Sequence, residues 1–266
     1  MDPKNEKTIE SFIRSFEKVN DLIREEKPDC LVAPMFGAVP FIDILNIIDD
    51  EFPNDFVEYV PASNKVYKVR DVLRGAFLNL IKAYAPNGGS FLSIDEVVSG
   101  NSLTRVYKQF NAARMDYANK KTKEIFGNET DFTKENVRKF RDELVDSISY
   151  KSIGIVDSKL ERLNKVKHET YLDLLKEGVV LPVKVDCIVT MDRMDFFPAK
   201  YKIAYNDQDQ AVFLPVVSDF QISPVYVDFL AQVAGILGKD PQSVTMRNMV
   251  KIRNSYHLVP EDLRKL

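Results

Sequence analysis

Apolar residues recur at three- and four-residue spacing through Ile9, Phe12, Ile13, Phe16, Val19, Leu22 and Ile23, which predicts one amphipathic helix. Asp2-Pro3 supplies a start for it and Pro28 a stop. The pattern then changes to short apolar runs. Cys30-Leu31-Val32-Ala33-Pro34 reads as a buried strand and Met35-Phe36-Gly37-Ala38 as a tight loop. Val39-Pro40 opens a helix to about residue 48, with proline at the tolerated first turn. Residues 56–60 alternate as a strand that closes at Pro61. A helix over 71–84 gathers Val72, Leu73, Phe77, Leu80 and Ile81 on one face, and Pro86-Asn87-Gly88-Gly89 is a strong turn. That turn delivers the chain into an apolar strand with Phe91, Leu92 and Ile94.

This strand runs into two carboxylates, Asp95 and Glu96, then the small-residue loop Ser99-Gly100-Asn101-Ser102, then a helix from Leu103 to about residue 121. Residues 119–135 are charged and weakly patterned, and a helix follows over 133–149 with Val137, Phe140, Leu144, Val145 and Ile148 on one face. Residues 111–150 read as an inserted helical pair. A strand over 152–156, a helix over 159–177 ended by Gly178, and a strand over 179–190 with Pro182 at an edge or bend come next. Residues 200–205 and 211–216 flank a five-residue polar loop as a hairpin, and two helices, over 223–238 and 241–254, complete the chain. Strands alternating with helices predict an α/β fold, a mainly parallel sheet with helices on both faces. Residues 1–178 form its core with the helical insert, and 179–266 form an α+β cap or interaction region, either separate or packed as one unit with the core.

Composition narrows the class only a little. A hydrophobic content of 45% in 266 residues allows a substantial core. A net charge of −3 gives no general electrostatic signature for nucleic acid or an anionic membrane. No apolar run is long enough to span a bilayer, and the first residues are too polar for a signal peptide, so a cytoplasmic protein is expected. Cys30 and Cys187 sit in apolar runs and read as packed thiols, and with His168 and His257 they make no zinc spacing.

The candidate chemistry lies at 90–103. A strand end with acids, a hydroxyl-rich loop containing one glycine, and a helix N-terminus can together hold a phosphorylated sugar. Backbone N–H groups and the helix dipole take the phosphate, and the carboxylates accept from sugar hydroxyls or approach Mg²⁺. In an open parallel sheet a ligand sits beyond the carboxyl ends of strands where loops diverge, so 35–38 and 95–102 are the two loops to watch. No Walker loop, dinucleotide glycine motif or G-x-S-x-G elbow is present.

Ile94-Asp95-Glu96-Val97-Val98-Ser99-Gly100-Asn101-Ser102 resembles the phosphoribosyl diphosphate motif of the type I phosphoribosyltransferase superfamily. It is most similar to a bacterial branch with the form Asp-Asp-Glu-x-Ser/Thr-x-Gly-Asn-Thr, with Ile94 in place of the first acid. Pro34-Met35-Phe36-Gly37-Ala38 resembles the pyrophosphate loop of the same superfamily, and Lys65–Arg70 falls where many members place a mobile loop. The resemblance implies a type I fold and a Mg²⁺-dependent transfer of phosphoribose from 5-phosphoribosyl 1-diphosphate to a nucleobase-like acceptor, releasing pyrophosphate. It implies Asp95 and Glu96 as catalytic acids, and Val98, Ser99, Gly100, Asn101 and Ser102 around the 5-phosphate. Phe36, Gly37 and Ala38 would lie against pyrophosphate, and Lys65, Lys68 and Arg70 against the diphosphate charge, with Glu96 reaching Mg²⁺ through water. The loss of the first acid leaves a second reading open, a non-catalytic phosphoribose- or nucleotide-binding module with a regulatory or partner-binding role. A homo-oligomer or a partner protein is compatible with either.

Plainer alternatives stand beside each residue. Asp95 and Glu96 also fit two solvated acids at a strand end, and 35–38 an ordinary βα turn. The cations Lys65, Lys68 and Arg70 fit a solvated loop, Arg105 on the following helix could reach the phosphate but reads rather as a surface residue, and His168 and His257 fit structural positions. Asp186, Asp192 and Asp195 read as loop acids.

Overall fold

The computed structural model describes residues 6–62, 68–127, 133–158, 169–185, 200–216, 224–240, 250–252, 254–255 and 257–258. The core runs α1 (Glu6–Glu26), β1 (Cys30–Pro34), α2 (Val39–Ile48), β2 (Val57–Val60), α3 (Val69–Tyr84), β3 (Gly89–Glu96), α4 (Asn101–Phe126), α5 (Lys134–Asp146), β4 (Ile148–Asp157), α6 (Glu169–Lys176) and β5 (Val180–Val185). Its five strands form one sheet in the order β2-β1-β3-β4-β5, and every pairing is parallel.

The alternation of strand side chains decides which helices cover which face. Leu31, Ala33, Leu92, Ile94, Ile153 and Ile155 join one apolar cluster with α1 and α2. Cys30, Val32, Phe91, Ile148 and Tyr150 join another with α3, α4 and α5. On the first face Phe16 is wholly buried, its ring 5.3 Å from that of Phe41. Burying one such side chain contributes roughly 2–3 kcal/mol. The α/β architecture that the pattern predicts is therefore present, with helices on both faces of a parallel sheet.

Several boundaries differ from the sequence expectation, and β5, beyond residue 178, completes the core sheet. Helix α4 begins at Asn101 and continues to Phe126, because beyond residue 121 Thr122 is buried with its hydroxyl on the Ala118 carbonyl and the Phe126 ring packs edge-on against Phe140 of α5, 5.3 Å away. Helix α5 stops at Asp146, because Ile148 already pairs with Gly89 across the sheet. Residues 111–150 thus contain the second half of α4, α5 and the start of β4, within the β3-to-β4 crossover. Pro182 lies on β5, an edge strand, where its missing N–H costs no ladder bond on the open side.

Beyond the core, β6 (Lys200–Tyr205), β7 (Ala211–Val216) and β8 (His257–Leu258) form a second, antiparallel sheet, and α7 (Pro224–Leu237) packs on the core. The predicted hairpin is closed by Asn206, whose Oδ1 accepts from the N–H groups of Gln208 and Gln210 at 3.1 and 2.9 Å. Phe213 and Ala211 of β7 pack on Val72 of α3. Tyr226, Phe229, Leu230 and Val233 of α7 join the α1–α2 cluster, and the Tyr226 hydroxyl donates to buried Asp43 of α2.

The strand order carries the functional consequence. From β1 the chain passes through α2 on one face to β2, and from β3 through α4 on the other face to β4. The loops after adjacent strands β1 and β3 therefore leave in opposite directions and open a crevice between them, which is where open α/β sheets bind ligands.

Candidate functional site

Asp95 is the second-last residue of β3 and only 6% exposed. Strand alternation turns it, with Phe91 and Ser93, toward the α3–α4 face. Its Oδ1 accepts the Glu96 N–H at 2.9 Å, and its buried Oδ2 has no hydrogen-bond partner. Burial pushes its carboxyl up to about 6, and the Ser102 hydroxyl, the Glu96 N–H and Arg105 only partly offset that rise. A buried acceptor left without a donor is uncommon and marks a site for water, ligand or chemistry.

Gly37, in the loop after β1, faces this carboxylate across the crevice. A Cβ at Gly37 would lie 3.4 Å from Asp95 Oδ1, so the absent side chain leaves the approach open. The same turn is closed on itself. The Ala38 N–H donates to Pro34 O at 3.1 Å, Ala38 is wholly buried, and Phe36 packs partly buried against the α1–α2 cluster. The Met35–Phe36 peptide is cis.

On the other wall the chain leaves β3 through Val97, which is buried, and Val98, which is 47% exposed. Ser99 Oγ accepts weakly from the Asn101 N–H at 3.5 Å. Gly100 begins α4 at φ +80°, and no side chain caps the helix there. The first N–H groups of a helix have no intrahelical partner, and an uncapped N-terminus offers them to an anion. Gly100 is required twice, since a Cβ would also meet the Tyr171 ring of α6 at 2.6 Å. Glu96 is half-buried at the end of β3 and turns to the face opposite Asp95. Lys68 and Arg70 are exposed at the start of α3, and Lys65 lies outside the described residues.

Arg105 is the residue that sequence reasoning misplaced. It is half-buried rather than on the surface, and its Nη2 donates to the carbonyl of Ala62, just beyond β2, at 3.0 Å. Its Nε is buried without a partner. Burial lowers its pKa, the charge of Asp95 raises it, and Arg70 adds repulsion, so the three charges share one neighbourhood. A signal was present, since Arg105 sits one turn inside the helix that starts at the phosphate-type loop. The contact with Ala62 spans 43 residues and no local pattern reveals it.

Other candidates are packed residues or lie outside the described residues. Cys30 is wholly buried and burial raises its thiol pKa far above the ordinary range, which makes it a packed thiol. Burial holds the His257 imidazole down to about 4, as suits a neutral structural residue. His168, Asp186, Cys187, Asp192 and Asp195 lie outside the described residues. Among the described residues no three of Asp, Glu, His and Cys converge as a protein-built metal cage, and no helix is long and apolar enough to cross a membrane.

Comparison with family models, curated proteins and solved structures found no match. The functional reading therefore rests on the crevice and its residues.

Proposed function

We propose that the crevice between β1 and β3 binds 5-phosphoribosyl 1-diphosphate and that the protein transfers its phosphoribose to a nucleobase-like acceptor. One observation carries the reading. Asp95 is buried with a free Oδ2, faces a glycine across the crevice, and stands beside an uncapped helix N-terminus. In this reading the N–H groups and hydroxyls of Ser99–Ser102 hold the 5-phosphate, and Asp95 accepts from ribose hydroxyls. Gly37 lets the diphosphate approach closely, and Lys68 and Arg70 neutralise it.

Glu96, half-buried at the end of β3 on the face opposite Asp95, would reach a Mg²⁺ delivered on a diphosphate through water, since that ion keeps waters and takes few protein oxygens. Bound there, it would neutralise the leaving pyrophosphate. The chain's own work is to position the sugar and stabilise developing positive charge at its anomeric carbon.

A non-catalytic binding role is the second reading, and Ile94 favours it. The position where related motifs carry a first acid is wholly buried on the opposite face of the sheet.

Calorimetric titration with phosphoribosyl diphosphate and Mg²⁺ tests the common part of both readings. Wild type is expected to bind and Asp95→Asn to bind at least about tenfold more weakly, as befits a charge-assisted hydrogen bond. A wild type that does not bind ends both. Pyrophosphate release across a nucleobase panel then separates the enzyme from the binder.

A further inference from the structure

Asp95 and Arg105 are opposite charges in one neighbourhood that do not pair with each other. Each influences the other's ionisation, yet Asp95 Oδ2 and Arg105 Nε are both buried without partners. Arg105 is instead tied by Nη2 to the Ala62 carbonyl, and Asp95 by Oδ1 to its neighbour's N–H. A buried acid and a guanidinium usually close into a direct fork-like contact, because each is costly to leave unsatisfied. Here the Ala62 carbonyl, beyond β2, holds Arg105 of α4, and the Glu96 N–H holds Asp95 at the end of β3, so the pair stays open. Thr104 Oγ1, in the first turn of α4, is a third buried polar atom without a partner.

An occupant that satisfies this arrangement must offer donors to a carboxylate and anionic acceptors to a guanidinium. A neutral sugar supplies only the first, and inorganic phosphate supplies chiefly the second. A phosphorylated polyol supplies both. We propose that Arg105 is the anion-selecting residue of the crevice and that a sugar phosphate bridges it to Asp95. The choice of ribose rests on the phosphoribosyl reading above, whereas the need for an anion beside hydroxyls rests on the open Asp95–Arg105 pair alone.

The test uses the full chain and three probes, ribose 5-phosphate, ribose and inorganic phosphate, titrated by calorimetry into wild type, Arg105→Gln, Arg105→Lys and Asp95→Asn, with thermal melting recorded for each. Wild type is expected to prefer ribose 5-phosphate over ribose by at least about tenfold, the scale of one charge-assisted contact. Arg105→Gln should cut that preference about tenfold, the loop donors of Ser99–Ser102 keeping the remainder, and Arg105→Lys should cut it less, since a point charge replaces the planar fork. If Arg105→Gln melts too low to be titrated, Arg105→Lys decides, and a preference equal to wild type overturns the proposal. Binding of inorganic phosphate that matches ribose 5-phosphate and is untouched by Asp95→Asn also overturns it, because the anion then sits apart from the acid. Wild type that binds none of the probes overturns it as well.

The two readings fail separately. Phosphoribosyl diphosphate binding that survives Arg105→Gln unchanged removes this inference and leaves the phosphoribosyl reading. Arg105-dependent binding of ribose 5-phosphate without binding of phosphoribosyl diphosphate does the reverse.

Discussion

Gly100 lies directly under the ring of Tyr171, so closely that a Cβ on the glycine would stand 2.6 Å from Tyr171 Cγ. The contact joins the loop after β3 to α6, and Tyr171 is itself buried with Val97, Leu103 and Leu174. The shape of the loop after β3 is therefore set from outside, by a side chain on the next crossover.

Gly100→Ala should destabilise the protein by about 2–4 kcal/mol, combining the left-handed backbone at φ +80° with overpacking against the ring. Chemical denaturation measures it. The comparison is Gly75→Ala in the interior of α3, where a Cβ meets nothing within 4 Å. That change should stabilise by up to about 1 kcal/mol. Equal effects at the two glycines would mean that the Tyr171 contact does not constrain the loop.

Asp95→Asn should stabilise the folded protein while weakening the proposed ligand binding. The carboxyl is raised from 3.8 to about 6 in the fold. Between those values the unfolded chain has released a proton that the folded chain keeps, so stability falls as pH rises through this window. The penalty is complete above it and absent below it. The asparagine variant should accordingly gain about 1–3 kcal/mol near pH 8 and nothing near pH 4. Urea unfolding at both pH values reads the difference. A variant destabilised at pH 8 would show that Asp95 serves the fold more than the site.

Much of this architecture was readable along the chain because its signals are local. The period change from α1 to β1, the proline at the start of α2, the Pro86–Gly89 turn and the loop at Ser99–Ser102 each lie within one element and its flanks. What sequence could not supply was set by register and distant contact. Ile148 continues a helical pattern from Leu144 and Val145, yet pairing with Gly89 makes it the first residue of β4. Arg105 resembles any helical arginine until the Ala62 carbonyl fixes it beside Asp95. The glycine at 100 was legible as a turn residue, but its contact with Tyr171 was not.

The C-terminal region is expected to unfold together with the core, and Tyr226 is the place to ask. Its hydroxyl donates to Asp43, which is 1% exposed on α2, and both residues sit between α7 and the core. Tyr226→Phe removes a donor to a buried carboxylate, a loss of about 1–3 kcal/mol. One cooperative transition shifted to lower denaturant, seen alike by fluorescence and far-ultraviolet dichroism, is the expected result. Two transitions, with only the first shifted, would show that α7 docks on a core that is stable without it.

Ile94 invites a test of the missing acid itself. In the register that aligns Ser99–Ser102 with a phosphate loop, this residue occupies the place of the first acid. It is wholly buried among Leu92, Ile153 and Ile155 on the α1–α2 face, whereas Asp95 turns to the other face. A carboxylate introduced there would have apolar neighbours and a strongly raised pKa. Ile94→Asp should therefore cost on the order of 4 kcal/mol or more near pH 8, and less near pH 4, where the introduced acid stays neutral. Ile94→Val should cost about 1 kcal/mol and leave ligand binding intact. Urea unfolding gives the stabilities, and pyrophosphate release gives the chemistry. An Ile94→Asp protein that folds and releases pyrophosphate faster than wild type would mean that position 94 reaches the crevice, contrary to the alternation of β3. The expected outcome is a destabilised protein with no gain in turnover, because strand geometry assigns positions 94 and 95 to opposite sides of the sheet.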